Sequence, residues 1–204
     1  MSKLKAFEAS LVEMIGDAEG MRPLLCDGNP LTCTVALIAA NPATKTPFWE
    51  FWKPARGMIR AKWIARYLEL HDNKFGRSRG AIERFVPQVS ARVIELNAYP
   101  HQSTSVGELP TSQRDARILR VILKEVGPKV IICAGRDATD AVNEMSLLPM
   151  PTIIDTDHLR SWGRKSEHRL ANAVNAALQA TVSLPRSYIG YKSLTRAADA
   201  TAVR

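Results

Sequence analysis

The segment Cys33-Thr-Val-Ala-Leu-Ile-Ala-Ala-Asn-Pro42 decides the fold. Residues 33–40 form an unbroken run of small apolar and β-branched side chains, the composition of a strand covered on both faces. Asn41-Pro42 stops it, because proline has no N–H to continue a ladder. Three further runs of the same kind follow: Arg92-Val-Ile-Glu-Leu-Asn97, Lys129-Val-Ile-Ile-Cys-Ala134 and the weaker Thr152-Ile-Ile-Asp155. Parallel neighbours need long crossovers, usually helices, so strand runs separated by helical runs predict a parallel sheet covered on both sides. The expected fold is α/β, a three-layer α/β/α sandwich around a central, mainly parallel four-stranded sheet.

The intervening segments carry the helical period. Leu4, Phe7, Leu11, Met14 and Ile15 share one face of a helix over 4–15, with Gly16 and Gly20 as stops. Ile59, Trp63 and Tyr67, with Ile64 and Leu68, predict a second helix reaching about His71. Residues 72–90 read as a polar connection, basic at Lys74, Arg77, Arg79 and Arg84, with a short helix near 78–85. Leu119, Ile122, Leu123 and Val126 stripe a helix capped by Thr111 or Ser112 and ended by Gly127-Pro128. A short helix over 137–144 precedes the fourth strand, and Leu170, Val174, Ala177 and Leu178 stripe a last helix capped by Ser166. One domain over 1–182 with a basic C-terminal extension over 183–204 is the expected organisation.

The chain has 204 residues, 46% of them hydrophobic, enough for one core of its own. A formal net charge of +8 suggests a polyanionic partner, although a basic surface suits RNA, anionic lipid or plain solubility as well as DNA. No apolar run approaches a membrane span, and the N-terminus Met1-Ser2-Lys3-Leu4-Lys5 leads directly into amphipathic sequence; the expectation is a cytoplasmic protein. Cys26, Cys33 and Cys133 are an odd set, two of them in or beside apolar runs, and read as buried, reduced thiols. With no Cys-x-x-Cys pair and no His-x-Glu signature, no metal or cofactor is implied.

Ligands of open parallel sheets bind outside the carboxyl ends of the strands. The four strand exits here are Asn41-Pro42, Asn97-Ala-Tyr-Pro100, Gly135-Arg136 and Thr156-Asp157-His158, which bring two amides and an imidazole to one edge. Singly, each has a plain explanation: Asn-Pro is a common turn, Asn97 a loop cap, and His158 a solvent-facing histidine. Their placement at successive exits of one sheet is what singles them out.

These residues also carry a resemblance. Val35-Ala-Leu-Ile-Ala-Ala-Asn-Pro-Ala43 resembles the first motif of the uracil-DNA glycosylase superfamily, in the Gly-x-Asn-Pro-Gly form of its mismatch-specific and single-strand-selective branches, with Ala39 and Ala43 in place of glycines. Leu96-Asn-Ala-Tyr-Pro100 is similar to the family's central strand end, Pro128–Gly135 to its third strand, and Asp157-His-Leu-Arg-Ser161 to its second motif, where His-Pro-Ser has become His158-Leu159-Arg160. The resemblance covers about residues 20–180 in the right order. It implies that Asn41 positions the attacking water, that Asn97 reads the edge of a flipped-out base, and that an aromatic from the loop after the first motif stacks on that base. Phe48 is the expected ring, with Trp49 and Phe51 as alternatives.

The chemistry is consistent with these residue types. As the N-glycosidic bond breaks, the sugar gains positive and the base negative charge; His158 can donate to the departing base, and Asn97 can offer a donor and an acceptor. Asn41 is a poor general base, so the reaction leans on positioning and leaving-group stabilisation, with Asp157 and Glu50 as nearby carboxylates. Lys45, Lys53, Arg56, Arg60, Lys62 and Arg66 stand against the single acid Glu50 between Asn41 and Arg66 and are expected to meet phosphates, Lys45, Lys53 and Arg56 foremost. Leu159 and Arg160 are expected to fill the space left by the flipped base. The function expected is a monofunctional DNA glycosylase, a monomer acting on double-stranded and also single-stranded DNA in base-excision repair, with uracil as leading substrate. The alternatives are an antiviral enzyme that removes a hypermodified cytosine from phage DNA and a non-catalytic DNA-binding member of the fold.

Overall fold

The computed structural model describes residues 2–180 and 189–190. In chain order the strands are β1 (Leu24–Leu25), β2 (Val35–Ala39), β3 (Trp52–Lys53), β4 (Gly57–Met58), β5 (Val93–Asn97), β6 (Val130–Ala134), β7 (Thr152–Thr156) and β8 (Ile189–Gly190). The helices are α1 (Lys3–Ile15), α2 (Arg60–Leu70), α3 (Arg77–Phe85), α4 (Arg117–Val126), α5 (Arg136–Asn143) and α6 (Arg164–Ala180). No described helix is long and apolar enough to cross a membrane.

The main sheet has the order β1-β5-β2-β6-β7-β8. The four expected strands are its centre and pair in parallel, β2 lying between β5 and β6. The expected count of four is corrected by two-residue strands at the edges: β1 pairs antiparallel with β5, and β8 pairs parallel with β7. Neither edge strand has an apolar run long enough to be read from sequence. Apart from β8, the expected extension over 183–204 lies outside the described residues.

Side chains alternate across the pleat. One face presents Ala36, Ile38, Ile94, Leu96, Ile131 and Cys133 to apolar residues of α1, α2, α4 and α5. The other presents Val35, Leu37, Val93, Val130, Ile132 and Ile154 to α3 and α6. The result is an α/β/α sandwich. All three cysteines are buried and free.

Two helix starts differ from expectation. Thr111–Gln113 forms a separate 3₁₀ turn, and the Asp115 carboxylate accepts the Arg117 amide at 2.8 Å, so the first orphan donor of α4 is met next to the helix rather than six residues before it. Ser166 is not the cap of α6 but lies in its first turn, where its hydroxyl reaches back to accept from the Gly163 amide at 2.8 Å. The C-terminus of α4 is as read: Gly127 takes φ +58°, and its amide donates to the Leu123 carbonyl.

The aromatic row after β2 forms a packing unit. Phe48 is 1% exposed and meets Trp49 edge-on at 4.9 Å and Trp52 at 5.9 Å, while Trp52 reaches Phe7 of α1 at 6.3 Å. The short hairpin β3–β4 ends this row, and its Gly57, at φ +89°, lies against the Gly28 carbonyl, where any Cβ would collide. We expect Phe48→Ala to lower stability by about 3–5 kcal/mol, as deletion of a buried ring does. Urea unfolding checks this, and a loss below about 1 kcal/mol would mean that Phe48 is not part of the core.

Candidate active site

The exits of β2 and β5 are tied to each other beyond the strands proper. The Ala98 amide donates to the Ala39 carbonyl at 2.8 Å, Tyr99 to Ala40 at 2.9 Å, and Ser103 to Pro42 at 3.0 Å. The parallel ladder thus continues into both loops and holds Asn41 and Asn97 at adjacent strand exits. A cavity of about 160 Å³ opens beside them, lined by residues from both exits, by Trp63 and Tyr67 of α2, by Arg79 of α3, and by His158 and Arg160 after β7.

Asn41 is half-buried, and its amide nitrogen donates to the Ser103 carbonyl at 2.6 Å. That bond fixes the amide so that Oδ1 is the group left to accept from a water. The Asn97 amide nitrogen donates to the Arg22 carbonyl at 3.2 Å, leaving its Oδ1 and a second N–H for a ligand.

His158 follows β7 and begins a 3₁₀ turn over Leu159–Ser161. Its Nδ1 accepts the Arg160 backbone N–H at 3.2 Å, so the neutral ring carries its proton on Nε2. The residue is exposed at the cavity mouth, yet partial desolvation, then the Arg160 charge, push the imidazole below its ordinary value of 6.5, against a weaker upward pull from Asp137, and so favour the neutral form. Gly135, at the β6 exit with φ +96°, packs against this histidine; a Cβ there would stand 3.5 Å from the imidazole Cδ2.

The cavity floor is charged. Arg79 is 6% exposed and grips Glu95 with two bonds, Nη1 to Oε2 at 2.6 Å and Nη2 to Oε1 at 2.8 Å. Arg60 joins them, bonding Glu83 at 2.6 Å and Glu95 at 3.2 Å. Burial raises the Glu95 carboxyl, but Arg79, Arg60 and Arg22 outweigh it and hold the group below its ordinary 4.5. Arg22 and Arg79 both lie on the Trp63 ring, at 4.6 and 5.3 Å from its centre.

The cavity is walled on the side of the loop after β2. Gln102 holds Thr46 by two bonds, accepting from its amide at 3.1 Å and donating to its carbonyl at 2.8 Å. Trp63 Nε1 donates to Thr46 Oγ1 at 3.0 Å, and Thr44 bonds His71 at 3.2 Å.

Of the expected site residues, Asn41, Asn97, His158 and Arg160 come together at this cavity. Phe48 does not: it and Phe51 are core residues, Trp49 donates to the Gly16 carbonyl, and none of the three lines the cavity. Its aromatic wall is Trp63 and Tyr67, which the helical period marked only as core. Leu159 touches the cavity but is 5% exposed and packs in the core beneath α3 and α6, so it is no free wedge. Lys45 is exposed in the loop beside Thr44 at the cavity's edge.

Lys53 and Arg56 are exposed in the β3–β4 hairpin, whose Gly28 contact faces Arg92 at the start of β5. That is the opposite end of β5 from Asn97, and neither residue lines the cavity. Arg60 turns inward, and Arg66 pairs with Glu69. Neither Glu50 nor Asp157 lines the cavity; among the described residues its only carboxylate is Glu95, already taken by two arginines. The sequence reading missed Arg22, Arg79 and Glu95. A glutamate inside an apolar strand was the available signal, because such a charge must find partners.

No known family model matches the chain, and no curated protein sequence matches it. Fold and site together define a class, an α/β/α sandwich with a polar, ring-sized cavity at its strand exits. Among the described residues, no cluster of His, Cys, Asp or Glu could hold a metal ion.

The Glu95 cluster has a pH signature. A carboxyl held below its unfolded value contributes stability that is complete above about pH 4.5 and is lost as pH falls through the folded value. We expect Glu95→Gln to cost about 3–5 kcal/mol at neutral pH and to flatten the acid limb of the stability profile. Urea midpoints measured across the acid range check this; an unchanged acid limb would remove Glu95 as its source.

Proposed function

We propose that this chain is a monofunctional DNA glycosylase that hydrolyses the N-glycosidic bond of a flipped-out pyrimidine, uracil foremost. One observation carries the reading: Asn41 and His158 meet at one cavity, each with one polar atom engaged by backbone and the complementary atom free. Asn41 Oδ1 is placed to accept from the attacking water, and His158 Nε2–H to donate to the oxygen of the departing base. The C1′–N1 bond breaks with its electron pair going to the base; water adds to C1′ and releases its proton to solvent. No free carboxylate lines the cavity to take that proton early, which favours bond breaking ahead of attack.

The cavity also bears on which base is removed. About 150 Å³ suffices for one benzene-sized ring, so about 160 Å³ fits a single pyrimidine ring. In this reading the base's 5-position faces the loop after β2, which bonds through Thr46 and Thr44 pin in place, so a bulky 5-substituent is disfavoured there. This favours uracil and a role in repair over a glycosylated cytosine and phage defence. The enzyme is proposed to act as a cytoplasmic monomer on double-stranded DNA, and on single strands too, without a cofactor.

Asn41→Ala and His158→Ala are expected to slow base release by about 100-fold or more while duplex binding persists. Alkali-labile sites formed on matched duplexes with uracil or glycosylated hydroxymethylcytosine provide the test. Normal turnover in both variants would end this mechanism, and cleavage of the glycosylated duplex alone would end the uracil assignment. Phosphate contacts are expected from the cavity rim: Lys45→Ala and Arg160→Ala should each reduce the slope of log affinity against log salt by about 1. Unchanged slopes would move the DNA path elsewhere.

A further inference from the structure

Arg22 has no task in the scheme above, although it lines the same cavity. Its Nη1 is shut off from solvent without a hydrogen-bond partner, and among the described residues its side chain makes no ion pair. Glu95, whose charge reaches Arg22, accepts its three bonds from Arg79 and Arg60 and none from Arg22. Around Trp63, three guanidinium groups, Arg22, Arg60 and Arg79, face two carboxylates, Glu83 and Glu95. One positive charge is left over, and it belongs to the arginine that makes no bond.

Arg22 as a whole is half-buried, but a guanidinium nitrogen shut off from water without a partner is costly, and proteins rarely retain one. The Trp63 face offsets part of that cost. Burial, then Arg79, pull the Arg22 pKa down to about 10, against Glu95 and Tyr67, and the group is still a cation at neutral pH.

We propose that Arg22 is an anion-binding residue of the cavity, which thereby takes a planar six-membered ring carrying negative charge. Only in naming that ring does this rest on the base-excision reading: the ring is then the departing pyrimidine, whose N1 and flanking oxygen take up the electron pair of the broken bond. Arg22 then opposes that charge alongside His158. A guanidinium also presents only donors, so it penalises an amino group and rewards a carbonyl or an anionic edge at the same place.

The test uses two free ligands of nearly the same shape, uracil, a neutral ring, and barbiturate, a pyrimidine ring that is an anion at neutral pH. Calorimetric titration of the full chain should show barbiturate binding at least about tenfold tighter than uracil. Arg22→Gln should abolish the preference, and Arg22→Lys, which keeps the charge but loses the planar face on Trp63, should reduce it at least about threefold. Unfolding midpoints identify which variants are folded. Equal binding of the two rings by the native chain, or an unchanged preference in either folded variant, overturns the proposal. Uracil excision is assayed alongside. A barbiturate preference without excision retires the base-excision reading and keeps the anion site; excision without the preference does the reverse.

Discussion

The two-point bond between Arg79 and Glu95 is the constraint on which the site depends. Glu95 sits in the middle of a buried strand, where a lone carboxylate would be prohibitively costly, and Arg79 on α3 meets both of its oxygens. The pair fixes the position of α3 over the sheet, and through Arg60 it draws in the start of α2 as well. Those two helices supply Trp63, Tyr67 and Arg79, so the same bond that neutralises a buried charge also builds the walls of the cavity.

The chemistry around that floor is dominated by donors. His158 presents Nε2–H, Asn97 one amide N–H, and Arg22 its unpaired guanidinium, while the acceptors are the Asn41 and Asn97 oxygens, a carboxylate already engaged, and the hydroxyls of Thr44, Ser78 and Thr104, which also donate. Such a lining suits a ligand that is rich in oxygens or gains negative charge, and it suits poorly a ligand that presents amino groups. The cavity opens to solvent at Ala43, Thr104, His158 and Arg160, while Asn97, Arg79 and Glu95 lie on its buried side, where a hydrogen bond is worth more than at the surface. The backbone bonds that orient Asn41 and His158 hold them in place before any ligand arrives.

Rigidity around the opening comes from unglamorous contacts. Gln102 clamps Thr46, Trp63 donates to the same threonine, and Thr44 reaches His71. The loop after β2 is thereby tied both to the β5 exit and to α2. Small residues at 39, 40 and 43 let the chain pass close to the cavity without filling it.

Much of the sandwich was legible in local pattern. The four apolar runs are the four central strands, because a strand buried on both faces admits little else, and Gly127-Pro128 ends α4 because few other pairs tolerate a left-handed stop. Asn41, Asn97 and His158 could be nominated from sequence because strand exits of a parallel sheet share one edge whatever the details of packing. Aromatic identity could not be assigned that way: Phe48 and Trp63 are both large rings near the first motif, and only packing shows that one fills the core beneath α1 while the other walls the cavity. Nor could Leu159, whose place in the core depends on α3 and α6. The pairing of Glu95 with Arg79 and Arg60 joins residues 16 and 35 positions apart, and the sequence showed only that a charge stood inside a strand. Local chemistry determined the strands and the polar groups at their ends; which charge neutralises which, and which guanidinium is left without a partner, was decided by tertiary structure, because burial and pairing are properties of the whole packed molecule.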